Sequence, residues 1–455
     1  MNLMEAVRAA GVVGAGGAGF PTHIKMAAKA EHYIINAAEC EPLIDTDKYI
    51  MRTYADEIVV AIEAVAAHLG ATKKTIALKA KYKPEIAALQ SAIERAKSDI
   101  AIFEMPTFYP AGDEQVIVCL VTGKTVPERG LPLDVGAVVS NVGTAVNIYD
   151  ALKGKPVTRK LLSVAGEVKE PVMLDVPVGT SIGECVRAAQ PQLEDYSIII
   201  GGPMMGKVYA DKHEAEALPV TKTTGSILVL PKGHYLVNRA TLPMDKIAAQ
   251  TRSACIQCRM CTDLCPRYLT GHRIRPHLVM RNLFREHLIE DDVEYERAFG
   301  DAVNCCDCGI CEMFACPMGL SPRKVNIFAK GRLRERGIQV ARNMTPTQRP
   351  ALAYTKVPTD RLIARLSLGK YGSLHAHQCL TLEPDTVTIP LRQHIGAPAE
   401  PVRAVGDRVS AGDVLGELPE GKLSARIHAS IDGVITAIDG GNVVIRAAGD
   451  SMTRS

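Results

Sequence analysis

The chain has no tryptophan, and aromatic residues make up 4% of its 455 positions. That scarcity removes the stacking platforms on which single-stranded nucleic acids are held. A net charge of +3, with no basic stripe, supplies no phosphate-binding face either, so no nucleic-acid partner is expected. No run of about 18 apolar residues occurs. The most apolar helical stretch, Ile58 to Leu69, is interrupted by Glu63 and His68, so no transmembrane segment is expected. Residues 1–20 carry Glu5, lack a basic start and dissolve into glycine. They do not read as an export signal, and a cytoplasmic protein is expected.

Cysteine, by contrast, is plentiful. Thirteen cysteines in a chain without an export signal point to metal rather than to disulfides. The length is too great for one core, and the pattern divides it. Residues 1–155 alternate helix and strand: HYIINA (32–37), a helix to Leu69 closed by Gly70, TIALKA (75–80), a helix opened by Pro84, and AVVSNVG (137–143). This predicts an α/β domain. Residues 156–240 give three short strands and one helix, an α+β module. Residues 241–341 are helical and hold nine of the thirteen cysteines. Residues 342–385, with several prolines, read as a linker with some helix around Arg361 to Leu366. Residues 386–455 return to short strands punctuated by Gly-Asp and Asp-Gly, which predicts a small all-β barrel.

The cysteines fall in two runs. Cys255-x2-Cys258-x2-Cys261-x3-Cys265-Pro266 is the bacterial ferredoxin pattern, in which the fourth cysteine serves the other cluster. Cys305-Cys306-x-Cys308-x2-Cys311-x4-Cys316-Pro317 is the same pattern with one extra residue before the last cysteine. Two [4Fe–4S] clusters are therefore expected, one on Cys255, Cys258, Cys261 and Cys316, the other on Cys305, Cys308, Cys311 and Cys265. Cys306 is the spare, or stands in for Cys305. Cys40, Cys119, Cys185 and Cys379 are isolated and expected to be small buried hydrophobes. Two clusters make a one-electron wire, and a wire needs a source.

The stretch GAGGAGFPTHIK (14–25) contains G-x-G-x-x-G at Gly14, Gly16 and Gly19. A dinucleotide fingerprint must follow a strand and open a helix. Here the preceding NLMEAVRAAGVV is helix-like, so the match is to be read differently. Glycines let a backbone approach a phosphate or a ring system closely. Pro21 suits the first turn of a helix, and Lys25 lies one turn further in.

GAGGAGFPTHIK resembles the flavin-binding loop of the NADH-oxidising flavoprotein subunit of respiratory complex I and of the C subunit of Rnf complexes. NAAECEP (36–42), YPAGDEQ (109–115) and SNVGT (140–144) are similar to that family's later segments, in the same order. The resemblance implies FMN with NADH stacked against it. It implies flavin contacts from Gly14, Gly16, Gly17, Lys25, Asn36, Glu39, Glu114, Asn141 and Thr144, with Phe20 and Glu41 on the nicotinamide side. Two positions depart from the complex I pattern: Ala15 replaces an arginine and Ala38 an acidic residue. A flavin takes a hydride's two electrons together and releases them singly, which is what a cluster wire requires.

The resemblance further implies that 156–240 is a β-grasp module and that 241–341 is a helical two-cluster ferredoxin domain. The tail is similar to a barrel-sandwich domain of the lipoyl and biotinyl type, with Ile431 and Asp432 where a carrier would have its lysine, and so reads as an assembly or docking domain. The whole order resembles the cobalamin reductases of bacterial propanediol utilisation. That family implies NADH-dependent reduction of a cobalamin substrate, a corrinoid adenosyltransferase and microcompartment shell proteins as partners, a microcompartment location, and room for a homo-oligomer. The alternative is an electron relay, or a soluble Rnf-like subunit, wiring a partner or the shell. The corrinoid motif D-x-H-x-x-G is absent: Asp211-x-His213 runs on to Glu216. His375 and His377 are expected to be solvated.

Overall fold

The computed structural model describes residues 2–448. Met1 and the last seven residues of the expected C-terminal domain lie outside the described residues. The chain opens with α1 (Leu3–Ala9), started by a capping box in which Asn2 and Glu5 satisfy each other's backbone amides. Then come α2 (Thr22–Met26), β1 (His32–Asn36), α3 (Thr46–Thr53), α4 (Ala55–Leu69) and β2 (Lys73–Lys79). They are followed by α5 (Lys83–Ala96), β3 (Ala101–Met105), α6 (Glu114–Thr122), β4 (Ala137–Asn141) and α7 (Val142–Leu152). Gly70 ends α4 at φ +71° and Pro84 opens α5, as glycine and proline do at helix ends.

The four strands are parallel in the order β3-β2-β1-β4. Both faces are covered, so β1 reads as an unbroken apolar run. Tyr33 and Ile35 face a core with Ile58, Ile62 and Ile148. Ile34 faces another with Ile117 and Val139. The chain leaves β1 to build β2 and β3 on one side, then returns to build β4 on the other. That reversal opens a crevice beyond the carboxyl ends of β1 and β4, where open α/β sheets bind ligands. Asn36 and Asn141 are register partners at its mouth.

The next module has β5 (Arg159–Gly166), β6 (Val172–Pro177), α8 (Ile182–Ala188), β7 (Tyr196–Ile200), β8 (Lys207–Tyr209), α9 (Lys212–Glu216) and β9 (Ser226–Pro231). Parallel β5 and β9 lie at the centre of a mixed sheet, with β6 antiparallel to β5 and β7 antiparallel to β9. Ile182 and Val186 of α8 pack on Leu162, Val164 and Val229.

The cysteine-bearing region is built of short helices: α10 (Tyr235–Thr241), α11 (Met244–Ala254), α12 (Met260–Asp263), α13 (Pro266–Leu269), α14 (Pro276–Asn282), α15 (Asp292–Phe299) and α16 (Pro322–Glu335). Ile247, Val279, Tyr295, Phe299 and Val325 form its core. The segment expected to be a linker is packed instead. Its helix α17 (Thr359–Arg365) buries Leu362, and Leu366, Leu368 and Tyr371 join a core with Tyr109, Met204 and Cys308. Its strand β10 (Cys379–Thr381) adds to the edge of the mixed sheet beside β6. Prolines shorten the elements of such a segment without freeing it: its apolar side chains fill gaps left by three other modules.

The tail supplies β11 (Thr386–Pro390), β12 (Glu400–Pro401), β13 (Arg408–Val409), β14 (Val414–Glu417), β15 (Ile427–His428), β16 (Gly433–Asp439) and β17 (Asn442–Ala447). They form two small sheets, β11-β17-β16-β13 and β12-β14-β15, around Val387, Ile389, Leu415, Ile427, Ile435 and Val443. Gly440 and Gly441, both at positive φ, close the β16–β17 hairpin as a two-residue turn requires. Among the described residues no helix is long and apolar enough to cross a membrane.

Candidate functional site

The glycine stretch follows a helix, not a strand, and precedes a helix of five residues. It is a hairpin. Val13 bridges Pro21, the Gly14 amide donates to the Phe20 carbonyl at 2.9 Å, and the Thr22 amide to that of Val12 at 3.0 Å. The crown, Gly16, Gly17 and Ala18, is exposed. A Cβ on Gly16 would stand 2.9 Å from the Asn141 side chain, while the space around Gly17 is open.

The four segments quoted from the sequence close into a ring. The loop meets the start of α7, where the Ala15 amide donates to Thr144 Oγ1 at 3.0 Å. Asn141 caps α7, accepting from the Gly143 amide at 2.8 Å. It also donates to Asp47 Oδ2 at 2.8 Å, and the Asp47 amide donates to Glu39 Oε1 at 2.8 Å. Asn36 donates to the Gly112 carbonyl at 2.8 Å, which joins the second segment to the third. Lys25 Nζ completes the circuit with Glu114 Oε1 at 3.3 Å and the Val139 carbonyl at 2.9 Å. The first turn of α7 has its Gly143 amide and Thr144 hydroxyl engaged by Asn141 and Ala15, and the positive end of its dipole makes a natural seat for a phosphate. Lys25 adds positive charge. These features fit FMN.

Beneath the ring lies a buried polar layer that the sequence did not announce. Burial pushes the carboxyls of Glu39 and Asp47 up, and the neighbouring Asp47 charge adds to the shift of Glu39. Lys160, on β5, is buried beside Asp47, and burial lowers the pKa of its ammonium to about 8. Lys79 Nζ and Tyr82 Oη donate to the Glu39 carbonyl at 3.1 and 3.0 Å, holding Glu39 at φ +21°, an uncommon backbone for a residue with a side chain. The signal for Lys160 was a lysine at an inward position of a strand.

Phe20 stands beside the ring, with Lys25 Nζ 6.0 Å from its centroid. Glu41, expected on the nicotinamide side, directs its carboxyl to the Met204 turn. Its Oε2 accepts from the Met204 amide at 2.8 Å, under the turn Gly202-Pro203-Met204, while Oε1 is buried with no partner. Burial raises this carboxyl to about 7. Ala15 and Ala38 are both buried, so the surroundings are closed around small side chains where complex I members carry charge.

The cysteines gather as two sets. Cys255, Cys258, Cys261 and Cys316 line one cavity. Burial, and then the neighbouring Cys255, Cys258 and Cys316, push the Cys261 thiol up to about 12. In the second set, Cys308 is raised well above its ordinary range by its hydrogen bond with Cys306 and then by burial. Cys311 is also raised well above its ordinary range, by burial and then by Cys305 and Cys265. Four thiols so crowded become thiolates when a cationic centre holds them. Among the described residues, no group of three His, Cys, Asp or Glu side chains closes on a single ion; the sets are spread around a space. Backbone N–H groups point at sulfur, Asp307 to Cys305 at 3.4 Å and Leu320 to Cys316 at 3.3 Å, the kind of contact that tunes a cluster. Cys306 lies beside Cys308. Of the isolated cysteines, Cys119 and Cys185 are buried, but Cys40 and Cys379 are half-buried.

The two sets differ in surroundings. The Cys265–Cys308 set adjoins the ring: Tyr109 Oη donates to the Cys308 carbonyl at 2.7 Å, and Arg267, two residues past Cys265, pairs with half-buried Asp113 at 2.7 Å. The other set reaches the surface at exposed Cys258, flanked by exposed Ile256, Met260 and Met318. His375 and His377 are both exposed, and His375 Nδ1 also lies 3.1 Å from Asp45 Oδ1.

Residues 7–150 match the Nuo51 FMN-binding domain, 254–321 the 4Fe-4S dicluster domain, and 373–452 the RnfC barrel sandwich hybrid domain. With the geometry above, these define a flavin- and iron–sulfur-dependent oxidoreductase. The chain belongs to the cobalamin reductase PduS family. It is 41% identical over 441 residues to "Cobalamin reductase PduS" of Salmonella typhimurium strain LT2, covering 96% of this chain and 94% of that one. It is 39% identical to the protein of that name from Citrobacter freundii, over the same shares. A component of the proton-translocating ferredoxin:NAD(+) oxidoreductase complex of Clostridium ljungdahlii is 33% identical, covering 59% of this chain and 56% of that one.

Proposed function

We propose that the chain is an NADH-dependent corrinoid reductase acting on cob(III)alamin and cob(II)alamin, as the names of its relatives suggest. The observation that carries this reading is the ring of four segments at the crevice of the parallel sheet, in contact with one of two cysteine sets. When bound, FMN accepts an electron pair as hydride and releases single electrons, and [4Fe–4S] clusters carry them one at a time.

The chain's own residues align and insulate. Gly14, Gly16 and Gly17 would let the loop approach a flavin, and Lys25 and the α7 amides, with Thr144, would hold its phosphate. Asn36, Glu39, Glu114 and Asn141 fix the crevice rim, with Phe20 beside it for the nicotinamide. Cys305 is preferred over Cys306 as ligand because it keeps the x2 spacing to Cys308. The Cys258 rim is the point an acceptor can approach, since Cys258 is exposed while Cys265, Cys308 and Cys311 of the other set are buried. The strand order of 159–231, a hairpin, a helix and a second pair around two parallel central strands, supports a β-grasp module. In this reading the reduced corrinoid passes to an adenosyltransferase inside a shelled compartment.

The test is anaerobic. The full chain is reconstituted with iron, sulfide and FMN, then mixed with NADH and cob(III)alamin. The expected outcome is flavin and cluster bleaching followed by cob(II)alamin bands. Bleaching without corrinoid reduction would overturn the substrate. A flavin that NADH leaves oxidised would favour the second reading, a relay charged by a partner, which the small buried side chains of Ala15 and Ala38 support.

A further inference from the structure

We propose that the C-terminal barrel is the back wall of the flavin site, clamping both feet of the glycine loop and so setting how tightly FMN is held. By its sequence the barrel reads as a docking domain. Its position in space argues otherwise, although it lies nearly 400 residues from the loop in the chain.

At the first foot, Gly11 adopts φ +64°, and a Cβ there would stand 2.3 Å from the Arg426 carbonyl of the barrel. Lys222, from the turn before β9, reaches between them. Its Nζ donates at 2.7 Å to the Gly11 carbonyl and at 2.7 Å to the Arg426 carbonyl. Lys222 is 1% exposed. Burying an ammonium is costly unless it is fully hydrogen-bonded, and here both acceptors are backbone atoms of the two parts it joins.

At the second foot, Gly19 is at φ +72°. A Cβ there would stand 3.0 Å from His394 Cα and 3.1 Å from the Gln393 carbonyl. The Ile395 amide donates to the Ala18 carbonyl at 3.2 Å. Gln393 Oε1 accepts from the Lys222 amide at 2.9 Å, and His394 Nε2 accepts from the Ala425 amide at 3.1 Å. One turn of the barrel, 393–395, therefore ties the second foot to the lysine that holds the first. Between the feet the crown from Gly16 to Ala18 remains exposed. A loop of small residues loses much conformational entropy on ordering. Holding its feet in advance leaves less to lose when a ligand binds. Lys222, Gln393 and His394 are thus positioning residues, acting through the loop.

The inference rests on the FMN reading above, and the test separates the two. FMN affinity of the iron-loaded full chain is measured by quenching of flavin fluorescence, for wild type, Lys222→Met and Gly19→Ala. At least a ten-fold weaker FMN affinity is expected in both variants, with iron content unchanged. A folded Lys222→Met chain with wild-type FMN affinity would overturn the proposal. Because a buried lysine variant can fail to fold, hydrogen exchange of the wild-type chain supplies the second arm. Linkage is reciprocal, so adding FMN should slow exchange of amides in 393–395 and 425–428. Binding of FMN without such protection overturns the clamp. A wild-type chain that does not bind FMN at all overturns the flavin reading itself.

Discussion

The flavin crevice and the cysteine sets are encoded in opposite ways. The cysteines are local: two short runs carry their ligands, and spacing alone predicts which four gather in the exposed set. The crevice is assembled by topology. Ala15 and Thr144, which meet through an amide and a hydroxyl, are 129 residues apart, and Lys25 and Glu114 are 89 apart. A local motif tolerates a change of fold around it but no loss of a ligand. A topological site tolerates single losses at its rim, yet depends on every module that holds its segments in place.

That contrast can be broken or sharpened by substitution. The largest effect is expected for Cys311→Ser, which should lower iron by about half and abolish acceptor reduction, while FMN stays bound; iron assay and flavin absorbance check it. Arg267→Met takes the guanidinium from half-buried Asp113, which keeps only the Gln115 and Val116 amides that it caps on α6. It should destabilise the chain by about 1.5–3 kcal/mol, as loss of a hydrogen bond to a charged group does, read as a lowered thermal midpoint. Gly16→Val drives a side chain into Asn141. It should weaken FMN binding about ten-fold or more, about 1.4 kcal/mol, with iron unchanged; loss of iron too would mean that the two sites are not separately encoded.

The last effect concerns pH. The Glu41 carboxyl is raised from 4.5 to about 7 by burial. The folded state therefore binds more protons than the unfolded one between these values, and stability falls as pH rises through that window. Glu41→Gln removes the titration. It should gain ~1–3 kcal/mol over wild type between about pH 4.5 and 7, and the gain should stay level above that. Denaturation at a series of pH values checks this, and a gain that does not change with pH would place the Glu41 shift elsewhere.

Much of the fold was legible where periodicity and punctuation agree. The strand at 32–37, the helix closed by Gly70, the proline-opened helix after β2 and the turn-rich tail all correspond to elements seen. Residues 342–385 mislead because proline content reports short elements, not exposure; Leu362, Leu366 and Tyr371 are buried by partners distant in sequence. In the crevice, the segments quoted for their chemistry meet in the ring, and residues acting through others were not read from the sequence. Asp47, Lys160 and the Arg267–Asp113 pair gain meaning only once the chain has folded back on itself. Glu41 was placed by resemblance, but its carboxylate follows the Met204 amide, a contact no local pattern announces.

The most direct test of the account removes the exposed cysteine set and leaves the inner one. A Cys258→Ser chain, reconstituted with iron, sulfide and FMN, is mixed with NADH under anaerobic conditions and followed by freeze-quench electron paramagnetic resonance with cob(III)alamin present. The account predicts that the flavin still bleaches, that the remaining cluster is reduced to the same extent as in wild type, and that corrinoid reduction is lost. Undiminished corrinoid reduction, or a remaining cluster that NADH no longer reduces, would contradict it.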